Sequence, residues 1–554
     1  MNRKEYRRSA HGAPPGPGKR RGWGGMSSTP AASSPRPGSA APTKRETFST
    51  RRLFILSAIG SAVGLGNIWR FPYIAYDNGG GAFLIPYLVA LLTAGIPLLF
   101  LDYAVGHKFR GSAPLAYRRL SRVAEPLGWW QVLVCFVIAA YYAVIIAWSV
   151  MYTIFSFTEA WGDDAEGYFF GSFLRVAEAP GIGFNYVPSV FFPLLLIWIA
   201  VIVIMVAGIR KGISRANSIL LPLLVVMFVL LVVQSLFLPG AAEGLNAFFT
   251  PDWSALADPS VWAAAYGHIF FSLSVGYGIM VTYSSYLKRR TDLTGSGMVV
   301  AFANSGFEIL AGIGVFAALG FMAQAAGAGV NDVVTQGIGL AFVAFPTIVS
   351  QAPFGALMGV LFFGSLVFAG VTSLISVLEV IVAAVQDKLG WGRIKASLVV
   401  SVLVGAVSLA LFPTATGLYL LDTSDAFVNS FGITLGALVT VVVLAWFLRK
   451  LPLLSAHLNG VSTIKMRRTW MVLVAGVVPL ALIYMVSNEF ISKISTTYEG
   501  YPEWFVGLFG WGMAGSLVVL ALVLTFIPWS RTSKAHHDPE YQSMMDEEEE
   551  EAAR

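Results

Sequence analysis

The sequence predicts an all-α polytopic membrane protein with about twelve transmembrane helices. First, 56% of its 554 residues are hydrophobic and only 12% are charged, which gives a mean hydropathy of +0.69. Second, apolar stretches long enough to cross a bilayer recur along the chain. Third, the connections between them alternate in basic charge. A water-soluble protein of this size is therefore excluded as a class.

The predicted spans can be placed because a bilayer-crossing helix needs roughly 20 apolar residues. They centre in residues 53–76, 82–105, 128–157, 189–208, 214–237, 262–286, 297–324, 354–385, 396–412, 426–448, 470–490 and 505–529. The single cysteine, Cys135, lies within the third span and has no cysteine partner. A disulfide framework and a thiolate metal site are therefore excluded.

Loop charge predicts the orientation, since cytoplasmic loops of membrane proteins carry an excess of Lys and Arg. The connections predicted to lie on the outer side carry only two Lys or Arg residues, Arg175 and Lys493. The connections assigned to the cytoplasm carry the others, namely Lys108, Arg110, Arg118, Arg119, Arg122, Arg210, Lys211, Arg215, Lys288, Arg289, Arg290, Lys388, Arg393, Lys395, Arg449, Lys450, Lys465, Arg467 and Arg468. We therefore expect a multi-pass protein of the cell (plasma) inner membrane with both termini cytoplasmic. The basic pI reflects this orientation, and no nucleic-acid partner is expected.

The two ends of the chain differ in composition from the apolar middle. Residues 1–44 are rich in Pro, Gly, Ser and Arg, a composition typical of a disordered cytoplasmic tail. Residues 531–554 end in an acidic run, which we interpret as a solvated cytoplasmic tail. Residues 45–530 remain as a single domain.

The first and sixth predicted spans are each interrupted by glycines, in "VGLG" at 63–66 and "VGYG" at 275–278. Paired interruptions in corresponding positions of two halves indicate an inverted-repeat transporter with its site at the bilayer midplane. Irregular backbone is tolerated in lipid only where protein covers it or it lines a cavity. The alternative is close helix packing through the GxxxG of Gly60 and Gly64. Asn67 and Arg70 in the same segment favour a functional break, because polar groups within a span are costly.

The interruptions also divide the chain. The first repeat is predicted at about 51–237 and the second at about 262–448, which leaves two extra helices at about 470–529. No chemistry can be assigned to the extra pair. The ends of a broken helix expose free carbonyls on one side and free N–H groups on the other, and these suit a hard cation and an anion, respectively.

Six segments resemble the neurotransmitter:sodium symporter family, and in particular its bacterial, LeuT-like amino acid transporters. They are "GSAVGLGNIWRFPYIAYDNGGGAFLIPY", "AAYYAVIIAWS", "HIFFSLSVGYGIMVTYSSY", "ANSGFE", "FAGVTS" and "LLDTSD", in the family's order. The resemblance covers about 45–530. It implies a 5+5 inverted repeat with unwound first and sixth helices, and sodium as the driving ion.

The resemblance implies two sodium sites and no organic cofactor. The first sodium site would comprise Ala62, Asn67, Ser272 and Asn304 together with the substrate carboxylate. The second sodium site would comprise Gly60, Val63, Ala369, Thr372 and Ser373. Carbonyl, amide and hydroxyl oxygens are the ligands that such a cation accepts.

The resemblance also implies a central substrate pocket. It would be lined by Ser61, Ala62, Leu65, Gly66, Ile138, Tyr142, Phe271, Ser272, Ser274, Tyr277, Ser373 and Val377. Tyr142 would hold the substrate carboxylate, and Phe271 would close the pocket on its outer side.

Gly64 bears on the substrate class. Monoamine-transporting relatives carry an aspartate at this position, because their substrates bring no carboxylate. Glycine therefore implies an amino acid. The apolar side chains of the pocket predict that this amino acid is neutral and hydrophobic, either aliphatic or aromatic.

Glu308 stands where chloride-dependent relatives have serine. Its fixed carboxylate predicts chloride-independent transport and raises proton antiport as an accompanying step. The positions that resemble the chloride cage are Tyr87, His268, Ser272 and Asn304. His268 departs from the family's glutamine, so it is either a hydrogen-bonded buried histidine or a proton carrier.

Two charge pairs resemble the family's gates. Arg70 would pair with Asp425 above the pocket. Arg45 would pair with Asp387 on the cytoplasmic side, with Phe48 replacing the family's tryptophan in the gating segment.

We therefore predict a sodium-coupled symporter that imports an amino acid by alternating access. The alternative is a non-transporting amino-acid sensor on the same fold. An enzyme is disfavoured because no HExxH, GxSxG or P-loop signature is present. The expected partners are the amino acid and membrane lipids, and the protein is expected to be a monomer or weak homodimer.

Overall fold

Regular structure in the computed structural model is helical throughout residues 46–530, the part of the chain that it describes. The predicted tails and Arg45 lie outside the described residues. The nearest approach to a sheet within the described range is a pair of isolated β-bridges, Gly80 with Pro251 and Tyr186 with Thr414. The predicted all-α polytopic class is confirmed.

Besides a short helical stretch at residues 165–173, the described first half of the molecule contains seven helices. They are α1 (Arg51–Ala62), α2 (Leu65–Asp77), α3 (Gly81–Phe109), α4 (Ala113–Leu120), α5 (Arg122–Phe155), α6 (Pro188–Val206) and α7 (Ile209–Leu236). Pro residues at the starts of α4 and α6 fit the first turn, where the missing N–H costs no helical hydrogen bond. The helix α4 is short and follows the turn at the end of α3.

Besides the short helical turns Trp253–Ala257 and Val330–Val333, the described second half and carboxyl end contain eleven further helices. They are α8 (Ala241–Phe249), α9 (Pro259–Ser272), α10 (Ile279–Ser284), α11 (Leu293–Ala326), α12 (Gly337–Gln351), α13 (Gly355–Leu389), α14 (Arg393–Leu411), α15 (Gly417–Phe447), α16 (Leu451–Val461), α17 (Arg468–Gly500) and α18 (Glu503–Phe526).

The predicted number of spans can be compared with these helices. Among the described residues, ten helices are long and apolar enough to cross a membrane, or eleven if α1 and α2 form one span bent by 55°. The sixth predicted span consists of α9 and α10, which are too short individually to be counted. Its interruption therefore accounts for the difference from twelve.

The two breaks use glycine for different reasons. Between α1 and α2, Val63 and Gly64 are extended, with φ of −73° and −123°, so conformation alone does not demand glycine. Between α9 and α10, Gly276 and Gly278 have φ of +84° and +89°, a region that favours glycine. The predicted interruptions are thus present, one created by extended backbone and the other by left-handed backbone.

Burial separates the central helices from those that face lipid. In the apolar stretches of α13 and α5, 83% and 78% of the residues are buried inside the protein, whereas the share is 28% in each of α6, α17 and α18. Hydrophobic side chains such as Phe192, Leu196 and Val203 project outward from α6. The central helices α5 and α13 are also the ones that carry predicted pocket residues.

Candidate binding site at the two broken helices

Glu308 on α11 is the centre of a polar cluster beside both breaks. Its carboxylate is fully buried, and four side chains from other helices approach it. Tyr87 donates to Oε2, and Ser272 donates to Oε1. Asn67 Nδ2 and His268 Nε2 lie 2.9 and 2.8 Å from Oε1. This set of donors suits an ionised carboxylate, which accepts hydrogen bonds only.

The predicted first sodium site adjoins this cluster. Asn67 Nδ2 donates to Asn304 Oδ1 at 2.9 Å, and Asn304 Nδ2 donates to Ser272 Oγ. Asn67 Oδ1 in turn accepts the Gly64 N–H at 2.9 Å. Ala62 is the last residue of α1, where carbonyl groups lack helical partners. The structure thus joins Asn67, Ser272 and Asn304 beside the buried Glu308 carboxyl group, and Ala62 stands five residues before Asn67 in the chain.

The predicted second sodium site lies between the end of α1 and the middle of α13. Thr372 Oγ1 donates to the Ala369 carbonyl at 3.0 Å. A Cβ built on Gly60 would stand 3.4 Å from Thr372 Cβ, so the two helices touch at these residues. The Gly60 carbonyl also lacks its usual helical donor, because the Gly64 amide bonds to Asn67 instead.

The predicted substrate pocket forms around the first break. Tyr142 Oη accepts the Leu65 N–H at 3.3 Å. Ser274 Oγ donates to the Ser61 carbonyl at 3.0 Å, and Ser373 Oγ lies 3.5 Å from the same oxygen. Residues of α1, α2, α5, α13 and the second break therefore converge here.

The glycines of the break face the pocket closely. A Cβ on Gly64 would stand 3.2 Å from Ser373 Oγ and 3.3 Å from Tyr142 Oη. A Cβ on Gly66 would stand 2.6 Å from the Phe271 ring. These positions are glycine because side chains and backbone meet there at close range.

Three other predicted lining residues are largely buried. Ile138, Tyr277 and Val377 are 7%, 7% and 5% exposed. They lie on α5, in the second break and on α13. Their role as the apolar wall stays a prediction.

The outer gate differs in detail from the predicted pair. Within the described residues no ion pair joins Arg70 and Asp425. Asp425 accepts a hydrogen bond of 2.6 Å from Tyr141 Oη, and the Arg70 guanidinium lies 5.4 Å from the Phe271 ring centroid. Arg70 therefore lies near the ring that is predicted to close the pocket, whereas Asp425 is held by Tyr141, and their direct pairing stays a prediction.

The segment before α1 packs against α10 and the residues that follow it. Phe48 is 2% exposed, its N–H donates to the Tyr286 carbonyl at 3.0 Å, and its ring contacts Tyr283. Glu46 accepts the Ile209 N–H at 2.7 Å. Arg45, the predicted inner-gate cation, lies outside the described residues.

Asp387, the predicted partner of Arg45, accepts the N–H of Ser112 at 2.7 Å. Ser112 precedes α4, so this contact joins α13 to the connection between α3 and α4. The predicted inner pair is not tested by the described residues.

We expect Phe48→Ala to weaken substrate binding roughly tenfold, because loosening the segment before α1 depopulates the closed state that binds. Loss of the buried ring should also lower the melting temperature. Equilibrium binding and thermal unfolding of the purified protein measure both effects. Phe48→Trp, which restores the aromatic ring, is the matched control and should bind as the wild type does. Equal binding by Phe48→Ala and the wild type would contradict a gating role.

Two polar residues escaped the sequence interpretation. Tyr141 holds Asp425, although only its neighbour Tyr142 was assigned a role. Asp102 on α3 is 3% exposed and accepts the Gly276 N–H at 3.1 Å, so it stabilises the second break. An acidic residue inside a span was the available signal for Asp102. Tyr141 had no such signal.

Comparisons with known proteins identify the family of this chain. Residues 45–168 and 162–532 match the model of the sodium:neurotransmitter symporter family. An uncharacterised sodium-dependent transporter of Methanocaldococcus jannaschii is 40% identical over 87% of this chain and 97% of its own length. A sodium-dependent dopamine transporter of Bos taurus is 30% identical over 85% of this chain and 73% of its own.

A solved structure shares the fold. The crystal structure of MhsT in complex with L-phenylalanine superposes with a TM-score of 0.68 at 32% identity, covering 81% of this chain and all (100%) of that one.

The helical architecture and these matches define a multi-pass membrane transporter that uses sodium. The chain belongs to the sodium:neurotransmitter symporter family. The predicted family is thereby confirmed.

Proposed function

We propose that this protein is a symporter that imports a neutral hydrophobic amino acid together with sodium by alternating access. The observation that carries the proposal is the meeting of opposite helix ends at the first break. The carboxyl end of α1 offers carbonyl oxygens to a cation, and the amino end of α2 offers N–H groups to a carboxylate. An amino acid carboxylate between them would contact both sodium and protein.

Coupling follows from this shared contact. If the substrate carboxylate is itself a sodium ligand, each partner binds more tightly when the other is present. Asn67, Ser272 and Asn304 would complete the first sodium site, and Gly60, Thr372 and their neighbours would form the second. The Tyr142 hydroxyl, already directed at the Leu65 amide, would hold the carboxylate.

The nature of the substrate side chain is inferred from the pocket wall. Leu65, Ile138, Phe271 and Val377 offer apolar surface. The relative MhsT was crystallised with L-phenylalanine. Both facts favour leucine-like or aromatic amino acids over charged ones.

We also propose that transport is independent of chloride. Glu308 supplies a fixed negative charge beside the first sodium site, where chloride would otherwise be required. Protonation of Glu308 with the help of His268, after sodium and substrate have left, would return a proton outward. Orientation with cytoplasmic termini in the cell membrane completes the proposal.

Uptake into proteoliposomes tests the function. Purified protein should accumulate labelled phenylalanine or leucine when sodium is higher outside, and should not do so when potassium replaces sodium. Stabilisation by the amino acid without any uptake would instead indicate the sensor. Preference for lysine or glutamate over leucine or tryptophan would contradict the apolar pocket.

Tyr142→Phe should weaken amino acid binding about tenfold, because the carboxylate loses a hydrogen bond to a hydroxyl group. Competition binding at saturating sodium measures the effect. Tyr186→Phe is the matched control, because its hydroxyl bonds to the Ala410 carbonyl at an exposed outer position. Identical losses in both variants would show that Tyr142 has no special contact with the substrate.

A further inference from the structure

Asn217 on α7 is a buried amide whose hydrogen-bonding capacity is unused. The residue is 0% exposed. Neither Oδ1 nor Nδ2 has a hydrogen-bond partner among the described residues. Buried polar side chains in folded proteins are nearly always paired, and an exception calls for an explanation such as an ion.

The amide oxygen is directed at the end of the first half-helix. A Cβ built on Gly60 would stand 2.9 Å from Asn217 Oδ1, and the same point lies 3.4 Å from Thr372 Cβ. Asn217 and Thr372 therefore meet over one face of Gly60, from α7 and α13. Gly60 and Thr372 both belong to the predicted second sodium site.

The surroundings of Asn217 are polar on the side that leads to the cytoplasm. Ser57 on α1 and Ser214 on α7 each lie three residues before Gly60 and Asn217, respectively. Both are buried, and neither hydroxyl has a partner within the described residues. The seam between α1 and α7 thus contains oxygens, with Asn217 nearest to the predicted ion position.

We propose that Asn217 Oδ1 is a ligand of the sodium ion in the second site, contributed by α7. The proposal rests on the proposed function, since it adds an oxygen to a sodium site that function requires. A neutral amide oxygen is a hard ligand of the kind found in alkali and alkaline-earth sites. Through it, sodium would join α7 to α1 and α13, so that departure of the ion would loosen all three contacts together.

The test measures sodium binding directly. Radioactive sodium binding and the sodium dependence of phenylalanine binding are compared for the wild type, Asn217→Leu, Asn217→Asp and the control Ser218→Ala. Ser218 lies beside Asn217, but its hydroxyl bonds to the Arg215 carbonyl of its own helix. We expect Asn217→Leu to raise the half-saturating sodium concentration about tenfold or more, Asn217→Asp to lower it, and Ser218→Ala to leave it unchanged.

A double-mutant cycle assigns the effect to one site. If Asn217 and Thr372 bind the same ion, the double variant Asn217→Leu/Thr372→Ala should lose less than the product of the single losses. Combination with Asn67→Ala, at the first sodium site, should give independent effects. Independent effects with Thr372→Ala, together with non-additive effects with Asn67→Ala, would overturn the assignment to the second site.

The outcomes separate this proposal from the proposed function. A wild-type protein without sodium-dependent binding contradicts the function itself. If phenylalanine binding by the wild type depends on sodium, and Asn217→Leu and Asn217→Asp show the same sodium dependence, only the ligand role is overturned. That result would indicate that water satisfies the amide. If Asn217→Leu does not fold, Asn217→Ser replaces it, and an unshifted sodium dependence in that variant overturns the proposal.

Discussion

Gly64→Asp should abolish amino acid binding, with a loss of ~100-fold or more, since juxtaposed like charges cost several kcal/mol. A side chain at this position would begin 3.2 Å from Ser373 Oγ and 3.3 Å from Tyr142 Oη, within the predicted pocket. Its carboxylate would occupy the region proposed for the substrate carboxylate. Competition binding of phenylalanine at saturating sodium measures the loss.

The charge can be separated from the volume with Gly64→Asn, which has the same size and no charge. We expect Gly64→Asn to weaken phenylalanine binding through crowding alone, and therefore less than Gly64→Asp does. Phenethylamine, which lacks the carboxylate, should bind better to Gly64→Asp than to the wild type. If Gly64→Asp bound phenylalanine and phenethylamine as the wild type does, Gly64 would not determine the substrate class.

The broken helices were predictable because their signals are local. Runs such as "VGLG" and "VGYG" interrupt apolar segments, and the length of an apolar segment can be read directly from the sequence. The structure adds that Gly64 is extended whereas Gly276 and Gly278 are left-handed, a distinction that backbone angles alone reveal. The sequence pattern therefore predicts where the two breaks lie but not the backbone angles that form them.

The contacts that support the breaks were harder to foresee. Asp102 reaches the Gly276 amide from 174 positions away in sequence, and Tyr141 reaches Asp425 from 284. Such contacts depend on how α3, α5 and α15 pack, which no periodicity encodes. The same holds for Asn217, whose amide is ordinary in sequence and exceptional only once its burial is known.

The short helices outside the spans were also missed. The helices α4, α8 and α16 contain 8, 9 and 11 residues, too few for the bilayer criterion that located the others. They lie in connections, where a short helix forms mainly through its packing against the longer helices.

Glu308→Ser should make transport depend on chloride. Removal of the carboxylate leaves Tyr87, Ser272, Asn67 and His268 directed at the space it occupied, so their hydrogen-bond donors would surround an anion. We expect uptake in sodium gluconate to fall about tenfold or more relative to the wild type, since a buried cation site loses its compensating charge. Sodium chloride should restore uptake, whereas wild-type uptake should be equal in the two salts.

Glu308→Gln distinguishes lost charge from created space. The glutamine fills the cavity without supplying charge, so its uptake should be low in both salts. Internal pH provides a second measurement, because outward return of a proton through Glu308 should raise the pH inside liposomes during wild-type uptake. Glu308→Ser should lose that rise even when chloride restores uptake, since no carboxylate remains to carry the proton. Wild-type uptake that fails in gluconate would refute chloride independence. A pH rise retained by Glu308→Ser would show that another group carries the proton, and His268 is the nearest candidate.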